Sequence, residues 1–444
     1  MSVTGVAGTP CWAPPDGDPY PEVRGRLSAD VAIVGAGLAG LATAYHLAEA
    51  VPGLDIAVVD ARQPAAGASG RGTGLLGPRV GPAIDRAVGR HGARTARRMY
   101  LASLRAVDQA LDLCARLDVG CGLRTGEQLV AARSASALRA LARQVRAYRA
   151  LGLDDVTPLS AAGVRSRVDG PYFAGLLHPT AATLDPAALT GALARACAAR
   201  GVRLFGRSPL SGVRTGDSTD RSCPELAFPH GRIRADQAVL AVGAAAGPLR
   251  LPVGTVLPLE VYAVATSPVP PDAYRALGGD TGCAVVDAVP LAPYLRPLPD
   301  GGLVAGGGTA VSPEGLGPRR LTTARERAWT RLERWLRTLH PQLAAVSVTH
   351  RWTGRIGMTA DGLPVVGPVP GRSRLWYVGG CCGHGLAMSV AHGSYLAGAL
   401  LGETEPGGPL PWHRSQAPLL PTTGLAAPLL RAYLGAVGAG ARRG

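Results

Sequence analysis

The sequence predicts an α/β fold of two domains, one built around a strand–helix–strand (βαβ) unit and a second, α+β domain built on an antiparallel sheet. Three observations lead to this prediction. A complete βαβ unit occupies about 28–60, β-rich stretches separated by Pro and Gly follow Pro252, and a late strand and small-residue helix occupy 376–401. At 444 residues the chain also exceeds the usual size of a single hydrophobic core, which favours two domains.

The βαβ unit carries a glycine motif of the kind that binds an adenine dinucleotide. The apolar run Val31–Val34 leads into a glycine-rich turn, a small-residue helix follows, and a second apolar run ends on Asp60. Gly35 would permit the tight turn, Gly37 would let a pyrophosphate approach the backbone, and Gly40 would let the helix pack closely on the sheet. The helix N-terminus favours phosphate, and Asp60 lies about 20 residues on, where the acid that binds ribose is expected. We therefore predict a Rossmann-like domain; the alternative is an ordinary buried βαβ unit without a ligand.

Composition argues against several other kinds of protein. The net charge is +15, yet none of the 46 basic residues is a lysine, which excludes a lysine Schiff base. The arginines are scattered and only 5% of residues are aromatic, so we expect no nucleic-acid partner. No apolar run approaches the ~18 residues of a membrane span, and the N-terminus lacks a secretory pattern. The cysteines form no CxxC pair, so we expect no metal site and a cytoplasmic protein with reduced thiols.

Three further motifs accompany the glycine turn in a fixed order. Counting the glycine turn as the first, the second motif is Gly67–Arg71, the third is Trp352–Thr359 followed by Asp361–Pro364, and the fourth is Gly380–Gly385. With these motifs the chain resembles the D-amino-acid-oxidase-like FAD-dependent oxidoreductases, which include relatives of glycine and sarcosine oxidases, and it is most similar to the gamma-glutamylputrescine oxidase group. The resemblance covers about residues 27–402.

The resemblance implies that FAD is the cofactor. The family's covalent attachment positions, Trp352–Thr359 and Gly70–Leu76 here, contain neither the Cys nor the His that relatives use, so non-covalent FAD is expected. Backbone N–H groups of the glycine loops could stabilise the negative charge of the reduced ring. The positions expected to contact FAD are Gly35, Ala36, Gly37, Leu38, Ala39, Gly40, Asp60, Ala61, Arg62, Ser69, Gly70, Arg71, Gly72, Gly243, Gly380, Gly383, His384, Gly385 and Leu386.

The resemblance also implies a division of the chain. The expected parts are an N-terminal arm at 1–26, a discontinuous FAD-binding domain at 27–80, 185–250 and 350–404, a substrate domain mainly at 81–184 and 251–349, and a C-terminal tail at 405–444.

The activity implied by the family is oxidation of a C–N bond of an amine or amino acid to an imine, by hydride transfer to flavin N5. The resemblance places His384 beside the ring, with helix capping or packing as the alternative role. Arg296, Arg355 and Tyr262 are candidate substrate contacts; for Arg296 the alternative is a surface ion pair. Amino-acid oxidases carry a carboxylate-binding Arg in the pattern Trp-x-Gly-x-Arg. Arg355 comes one residue early, so a carboxylate clamp at this position stays open.

The electron acceptor is expected to be oxygen or another oxidant. Relatives similar to sarcosine oxidase place a lysine above the flavin to activate oxygen, and the matching stretch Gly302–Gly306 has none. Reaction with oxygen should therefore be slow. Three competing interpretations remain at this point: oxidation of a 2-hydroxy acid with FAD, an NAD-dependent dehydrogenase, and a non-enzymatic basic binding protein.

Overall fold

The computed structural model of the protein describes residues 6–15, 17–216, 223–247, 249, 251–289, 291–313, 316–405 and 407–419. Of the predicted C-terminal tail, Pro406 and residues 420–444 lie outside the described residues. The strands are β1 (Gly25–Val34), β2 (Ile56–Val59), β3 (Leu75–Leu76), β4 (Arg124–Ala132), β5 (Thr157–Ser160), β6 (Ala174–Thr183), β7 (Arg203–Phe205), β8 (Gly212–Arg214), β9 (Glu225–Phe228), β10 (Gly231–Leu240), β11 (Leu257–Thr266), β12 (Ala284–Asp287), β13 (Tyr294–Pro297), β14 (Leu303–Val311), β15 (Val348–Met358), β16 (Val365–Pro368) and β17 (Leu375–Gly379).

The helices are α1 (Leu38–Ala50), α2 (Ala68–Arg71), α3 (Ile84–His91), α4 (Ala93–Arg116), α5 (Ala135–Ala150), α6 (Ala161–Arg165), α7 (Pro186–Ala199), α8 (Pro271–Ala276), α9 (Pro318–Arg337) and α10 (Gly385–Leu400). Short 3₁₀ turns occur at Gly243–Ala245 and Pro341–Leu343. Within the described ranges, no helix combines the length and the apolar character needed to cross a membrane.

The first sheet is the predicted Rossmann-like half. Its strands run in the order β16–β17–β10–β1–β2–β7, with β9 and β8 added beside β10. β1 pairs in parallel with β2 and β10, and β10 pairs in parallel with β17, whereas β16 is antiparallel. Val31–Val34 form a continuous apolar run because this part of β1 is buried on both faces of the sheet. Helix α1 packs against α7 and α10, so the late strand and helix complete the domain that the βαβ unit begins.

The second sheet is the predicted α+β part. Its order is β15–β11–β14–β13–β12–β4–β6–β3, with β5 beside β6. All pairs are antiparallel except β4 with β12. Helix α9 packs on β11 and β14, where Trp329 meets the ring of Tyr262 edge to face at 6.0 Å. This side of the second sheet is therefore closed by a helix and forms a core of its own.

Two segments differ from the expected domain division. The expected FAD-binding domain includes 27–80 and 350–404, yet β3 (Leu75–Leu76) and β15 (Val348–Met358) both pair in the second sheet. Motifs in the sequence cannot reveal this, because strand pairing joins residues far apart in the chain. We propose the same two-domain division with these two strands moved to the second domain.

The segment before β1 is irregular, as expected for an arm. It is hydrogen-bonded to the second sheet and to helix α2 with the loop that follows it, which we call the α2 loop. The backbone N–H of Thr353 donates to the carbonyl of Ala7 at 2.9 Å. Further along, Trp12 Nε1 donates to the carbonyl of Gly72 at 2.8 Å. The arm thus lies over the loop that contains the second motif and holds it against β15.

Candidate active site

The segments expected to contact FAD follow the carboxyl ends of four neighbouring strands. β2, β1, β10 and β17 lie side by side and run in parallel, so the chain leaves all four at the same edge of the sheet. This edge is where open α/β sheets bind ligands. The residues brought there are Gly35–Gly40 after β1, Asp60–Arg62 after β2, Gly243 after β10, and Gly380 and Gly383–Leu386 after β17.

The turn after β1 has the geometry that its glycines predict. Gly35 has φ +112°, and a Cβ there would stand 2.3 Å from the carbonyl oxygen of Ala241, which directly follows the neighbouring strand β10. A Cβ at Gly40 would stand 2.0 Å from the carbonyl oxygen of Gly35, so helix α1 can approach the turn only because position 40 has no side chain. The turn and the helix start are consequently close-packed.

Asp60 is held beside this turn. Its Oδ2 accepts a hydrogen bond from the N–H of Ala36 and its Oδ1 accepts one from the N–H of Arg62, both at 2.8 Å. The carboxylate therefore joins the ends of β1 and β2 and has a fixed orientation. That position is the one from which an acid can bind ribose hydroxyls.

Helix α2 brings the second motif to the start of α1. Ser69 Oγ accepts a hydrogen bond from the N–H of Leu38 at 2.9 Å. A Cβ at Gly37 would lie 2.8 Å from that same oxygen. Position 37 thus has a second reason to be glycine, besides the approach of a pyrophosphate, and the sequence alone did not show it.

The Arg71 side chain hydrogen-bonds to carbonyl groups of the protein's own backbone. Its Nε donates to the carbonyl of Thr353 at 2.7 Å, and its Nη2 donates to the carbonyls of Ala7 and Gly8 at 3.0 and 2.6 Å. Burial lowers the pKa of the Arg71 guanidinium to about 10, which still leaves it charged at neutral pH. The guanidinium expected to contact FAD is therefore committed to fastening the N-terminal arm and β15 to the α2 loop.

Arg296 differs from both expectations. It is 1% exposed, so the surface ion pair is wrong. Its Nε donates to the carbonyl of Thr73 at 2.5 Å, its Nη2 donates to the carbonyl of Leu184 at 2.9 Å, and its guanidinium lies 5.0 Å from the ring centre of Trp12. Because these donors are already taken by buried carbonyls, Arg296 positions the loop after α2 and is no longer a candidate substrate contact.

Tyr262 lies on the opposite side of the second sheet from the α2 loop. Its hydroxyl is 3.4 Å from Glu260 and its ring packs on Trp329 of α9. Val261, the next residue along β11, faces the other way: a Cβ at Gly354 would lie 3.8 Å both from Val261 and from the carbonyl oxygen of Arg71. Tyr262 is consequently a core residue and not the substrate contact that the sequence analysis expected.

Arg355 lies on the same side as Tyr262. It stands directly opposite Glu260 in the register of β11 and β15, and opposed residues share one face of a sheet. The Glu260 carboxylate is also bound by Arg325 of α9, at 2.7 and 2.8 Å. Arg355 is therefore directed toward the helix side rather than toward the α2 loop, which removes it as a substrate clamp. The mostly apolar residues on both faces of β11 hide this parity in the sequence.

His384 closes the turn between β17 and α10. It is the residue before the first turn of α10, and its own N–H donates to the carbonyl of Cys381 at 3.0 Å. Its Nδ1 is buried without a hydrogen-bond partner among the residues that the structure describes. Burial lowers the pKa of His384 well below its ordinary value, and the charge of Arg79 lowers it further. The imidazole is therefore neutral at neutral pH, with one ring nitrogen left for a partner outside the chain.

This turn also meets the third motif. A Cβ at Gly383 would lie 3.5 Å from Cδ1 of Ile356, and Cys382 Sγ lies 3.5 Å from the backbone nitrogen of Thr359. Gly385 begins α10 without an acidic residue in the first turn, so the helix N-terminus can stabilise an external negative charge.

Sequence reasoning missed Arg79. It lies in the loop after β3, lines a cavity of about 200 Å³ and has no hydrogen bond or ion pair to any described residue. The only local signal is an arginine set between Gly77-Pro78 and Gly81-Pro82, directly after the second motif. Such a loop has no periodicity from which the direction of a side chain could be predicted.

The residues fit a flavin dinucleotide. The close-packed glycine turn and the fixed Asp60 offer a cradle for the dinucleotide. At the same edge of the sheet lies the Nδ1 of His384, which no residue described by the structure hydrogen-bonds.

Comparison with known proteins agrees with this geometry. The chain is 28% identical over 393 residues to gamma-glutamylputrescine oxidoreductase of Escherichia coli (strain K12), with 87% of each chain covered. Its fold is similar to glycine oxidase from Geobacillus kaustophilus, with a TM-score of 0.71 at 21% identity over 88% of this chain and 99% of the other. L-amino acid deaminase from Proteus myxofaciens also gives a TM-score of 0.71, at 16% identity over 92% and 97% of the two chains. The family model described as FAD dependent oxidoreductase matches residues 30–399. The chain therefore belongs to the FAD dependent oxidoreductase family, and FAD is its cofactor.

Proposed function

We propose that the protein oxidises a C–N bond of an amine or amino acid to an imine, using non-covalently bound FAD, and passes the electrons to oxygen or another acceptor. The observation that carries this proposal is the turn at His384, where a neutral imidazole lies beside the N-terminus of α10 and its Nδ1 has no hydrogen-bond partner among the described residues. The names of the relatives support the amine and amino-acid class over 2-hydroxy acids. Membership of the family excludes an NAD-dependent dehydrogenase and a non-enzymatic binding protein.

The protein's part in this reaction is to hold the cofactor and to orient the substrate. FAD supplies the hydride acceptor when it is bound. The N-terminus of α1 and Asp60 would hold the dinucleotide, while Arg71 and Arg296 keep the loop after α2 in place. Because its pKa is so low, His384 is a poor base; it would position a partner through Nδ1 without taking up its proton. Negative charge that develops at this edge would be stabilised by the N–H groups at the N-terminus of α10.

One thiol close to the third motif bears on the mode of attachment. Cys382 Sγ donates to the carbonyl of Gly380 at 3.1 Å and lies 3.5 Å from Thr359 Oγ1. Burial raises the pKa of the Cys382 thiol, so it stays protonated and is a weak nucleophile. This chemistry supports non-covalent FAD.

A purified sample tests the proposal directly. The protein should be yellow, and acid precipitation should release the colour into the supernatant. Under anaerobic conditions, amines or amino acids should bleach the flavin. Bleaching by 2-hydroxy acids alone would favour that substrate class instead, and colour that stays with the precipitate would refute non-covalent binding.

A further inference from the structure

Helix α9 carries a row of arginines on the side that faces away from the second sheet. Its buried residues, among them Trp329 and Leu336, lie on the side that packs on β11 and β14. From Arg319 to Arg337 every exposed residue is an arginine, a threonine or Glu326. At 3.6 residues per turn, four of the exposed arginines lie within about 60° of one another around the helix axis and extend over about 21 Å. We call these four residues, Arg320, Arg327, Arg331 and Arg334, the arginine stripe.

The charges of the arginine stripe are not balanced within the part of the protein that the structure describes. None of its four guanidinium groups makes a hydrogen bond or an ion pair with a described residue. The two glutamates of α9 are directed to another arginine. Glu333 is buried and lies 2.6 Å from Arg351 of β15, and Glu326 lies 3.9 Å from the same side chain. Glu333 also pairs with Arg337, at 3.5 Å. The stripe therefore keeps its positive charge.

This placement of arginines is unfavourable for the helix itself. Arg327 and Arg331 are four residues apart and Arg331 and Arg334 are three apart, so like charges are neighbours on the helix surface and destabilise it. Arg319 and Arg320 lie in the first turn, which contains no acidic residue, and a positive charge there opposes the helix dipole. Because neither placement favours the folded helix, an anionic partner explains these arginines better than the stability of α9 does.

An exposed aromatic residue lies beside the C-terminal end of the stripe. Phe173 is 57% exposed. The residue before it, Tyr172, shares the carboxylate of Asp287 with Trp335 in the last turn of α9, at 3.0 and 2.9 Å. The loop that contains Phe173 is therefore fastened next to the turn in which Arg334 ends the stripe. An apolar side chain beside a basic helix face is an arrangement with which proteins bind membrane surfaces.

The composition of this surface distinguishes between anionic partners. A stable protein interface needs an apolar centre, whereas the outer side of α9 offers only charged and hydroxyl groups. Single-stranded nucleic acid would need several aromatic side chains along the stripe, and the exposed residues of α9 include none. A duplex would meet the stripe through its phosphates and would give Phe173 no role. A bilayer surface uses both features, since its anionic headgroups attract the arginines and the boundary with its acyl chains accepts Phe173.

We propose that the arginine stripe and Phe173 bind the surface of a membrane that contains anionic phospholipids. The protein then lies on the membrane with the outer side of α9. This side belongs to the second sheet, whereas the cofactor is expected at an edge of the first sheet. The inference is therefore independent of the proposed function and can be tested without turnover.

The test is sedimentation of the FAD-loaded protein with lipid vesicles. One set contains phosphatidylcholine alone, and the other contains about one third phosphatidylserine, which supplies the negative surface potential. Binding should require phosphatidylserine and should be lost at about 0.5 M salt, because salt screens exposed charges. The stripe variant, with Arg327→Gln, Arg331→Gln and Arg334→Gln together, should bind about 100-fold more weakly, at roughly fivefold for each arginine. Phe173→Ala should weaken binding by about tenfold.

The matched control variant changes three exposed arginines elsewhere on the protein to glutamine: Arg26, Arg94 and Arg234. It has the same net charge as the stripe variant and should bind the anionic vesicles nearly as the wild type does. In urea the stripe variant should be at least as stable as the wild type, because it loses repulsion between like charges. A weaker affinity of this variant would then not be due to misfolding.

Each other outcome overturns the inference. Absence of binding, or equal binding to both kinds of vesicle, would show that the protein does not recognise anionic lipid. An equal loss in the control variant would show that only the net charge matters, and a stripe variant less stable than the wild type would give the arginines a structural role. An unchanged affinity in Phe173→Ala would refute the apolar contact. Tighter binding to a short DNA duplex than to the anionic vesicles at the same salt concentration would identify nucleic acid as the partner.

Discussion

Replacing Gly37 by alanine separates two physical reasons for a glycine at that position. Gly37 has φ −85° and ψ 178°, which any residue can adopt, so the effect of the change is purely steric. The new Cβ would stand 2.8 Å from Ser69 Oγ, closer than van der Waals contact allows. Ser69 Oγ accepts the hydrogen bond from the N–H of Leu38, the first residue of α1. The same Cβ would also stand where the helix N-terminus is expected to meet the pyrophosphate.

The two reasons have different costs. If the Ser69 hydroxyl turns away, the N–H of Leu38 loses its acceptor, and an unsatisfied polar group at this site costs about 1–3 kcal/mol of unfolding free energy. That corresponds to roughly a 5- to 150-fold change in the unfolding equilibrium. The pyrophosphate effect appears only in the affinity for FAD. Ser69→Ala removes the oxygen that the new Cβ meets, so it isolates the first effect from the second.

The assay is a double-mutant cycle with Gly37→Ala and Ser69→Ala, read by urea unfolding of the apoprotein and by titration with FAD. We expect Gly37→Ala to cost little stability once Ser69→Ala is present, because the clash is gone. The double variant should still bind FAD more weakly than Ser69→Ala does. Gly120→Ala is the control, since a Cβ there meets nothing within 4 Å. Wild-type stability in Gly37→Ala would refute the Ser69 contact, and FAD affinity in the double variant equal to that of Ser69→Ala would refute the pyrophosphate explanation.

Three further predictions follow from the same structure. Arg296→Met should lower the unfolding free energy by about 2–5 kcal/mol in urea, because the buried carbonyls of Thr73 and Leu184 lose their donor; an effect no larger than that of Arg94→Gln would contradict this role. Burial lowers the pKa of His392 to about 3, whereas the pKa of a histidine in the unfolded chain is about 6.5. The stability contributed by the neutral ring is therefore complete above about pH 6.5 and declines as the pH falls below that value. Between pH 7 and pH 5 the wild type should therefore lose about 2 kcal/mol more than His392→Gln, and parallel pH profiles would rule this out. Because the chain has no lysine, stopped-flow reoxidation of the reduced enzyme by oxygen should be slower than by a dye acceptor; rapid reoxidation by oxygen that is unchanged in His384→Ala would show that another group activates it.

The cradle for the cofactor could be predicted because its parts are local. Gly35, Gly40 and Asp60 belong to one continuous βαβ unit. The groups that each of them contacts lie within about 25 residues in the chain or next to the adjacent strand. The turn before α10 is local in the same sense, since a strand, a glycine turn and a small-residue helix follow one another directly. Resemblance to a family adds the order of these motifs, which is also a property of the chain alone.

The direction of the charged side chains could not be predicted in this way. Tyr262 and Arg355 were expected at the substrate, but the register of β11 with β15 turns both toward α9. Strand parity changes with a shift of one residue, and the mostly apolar β11 has no alternation that would reveal it. Arg296 was expected to contact the substrate or, alternatively, to form a surface ion pair, yet distant carbonyls hold it in the interior.

The sequence by itself therefore determined the fold class, the family and the cofactor, since these depend on short-range periodicity and on glycine turns. Only the tertiary structure decided which arginines serve the backbone. Arg71 and Arg296 have their donors satisfied by carbonyls far away in the chain, whereas Arg79 lines a cavity and bonds to no residue that the structure describes. The physical reason is that the free energy of a buried charge depends on every group around it, and the chain brings those groups together only when both sheets have formed.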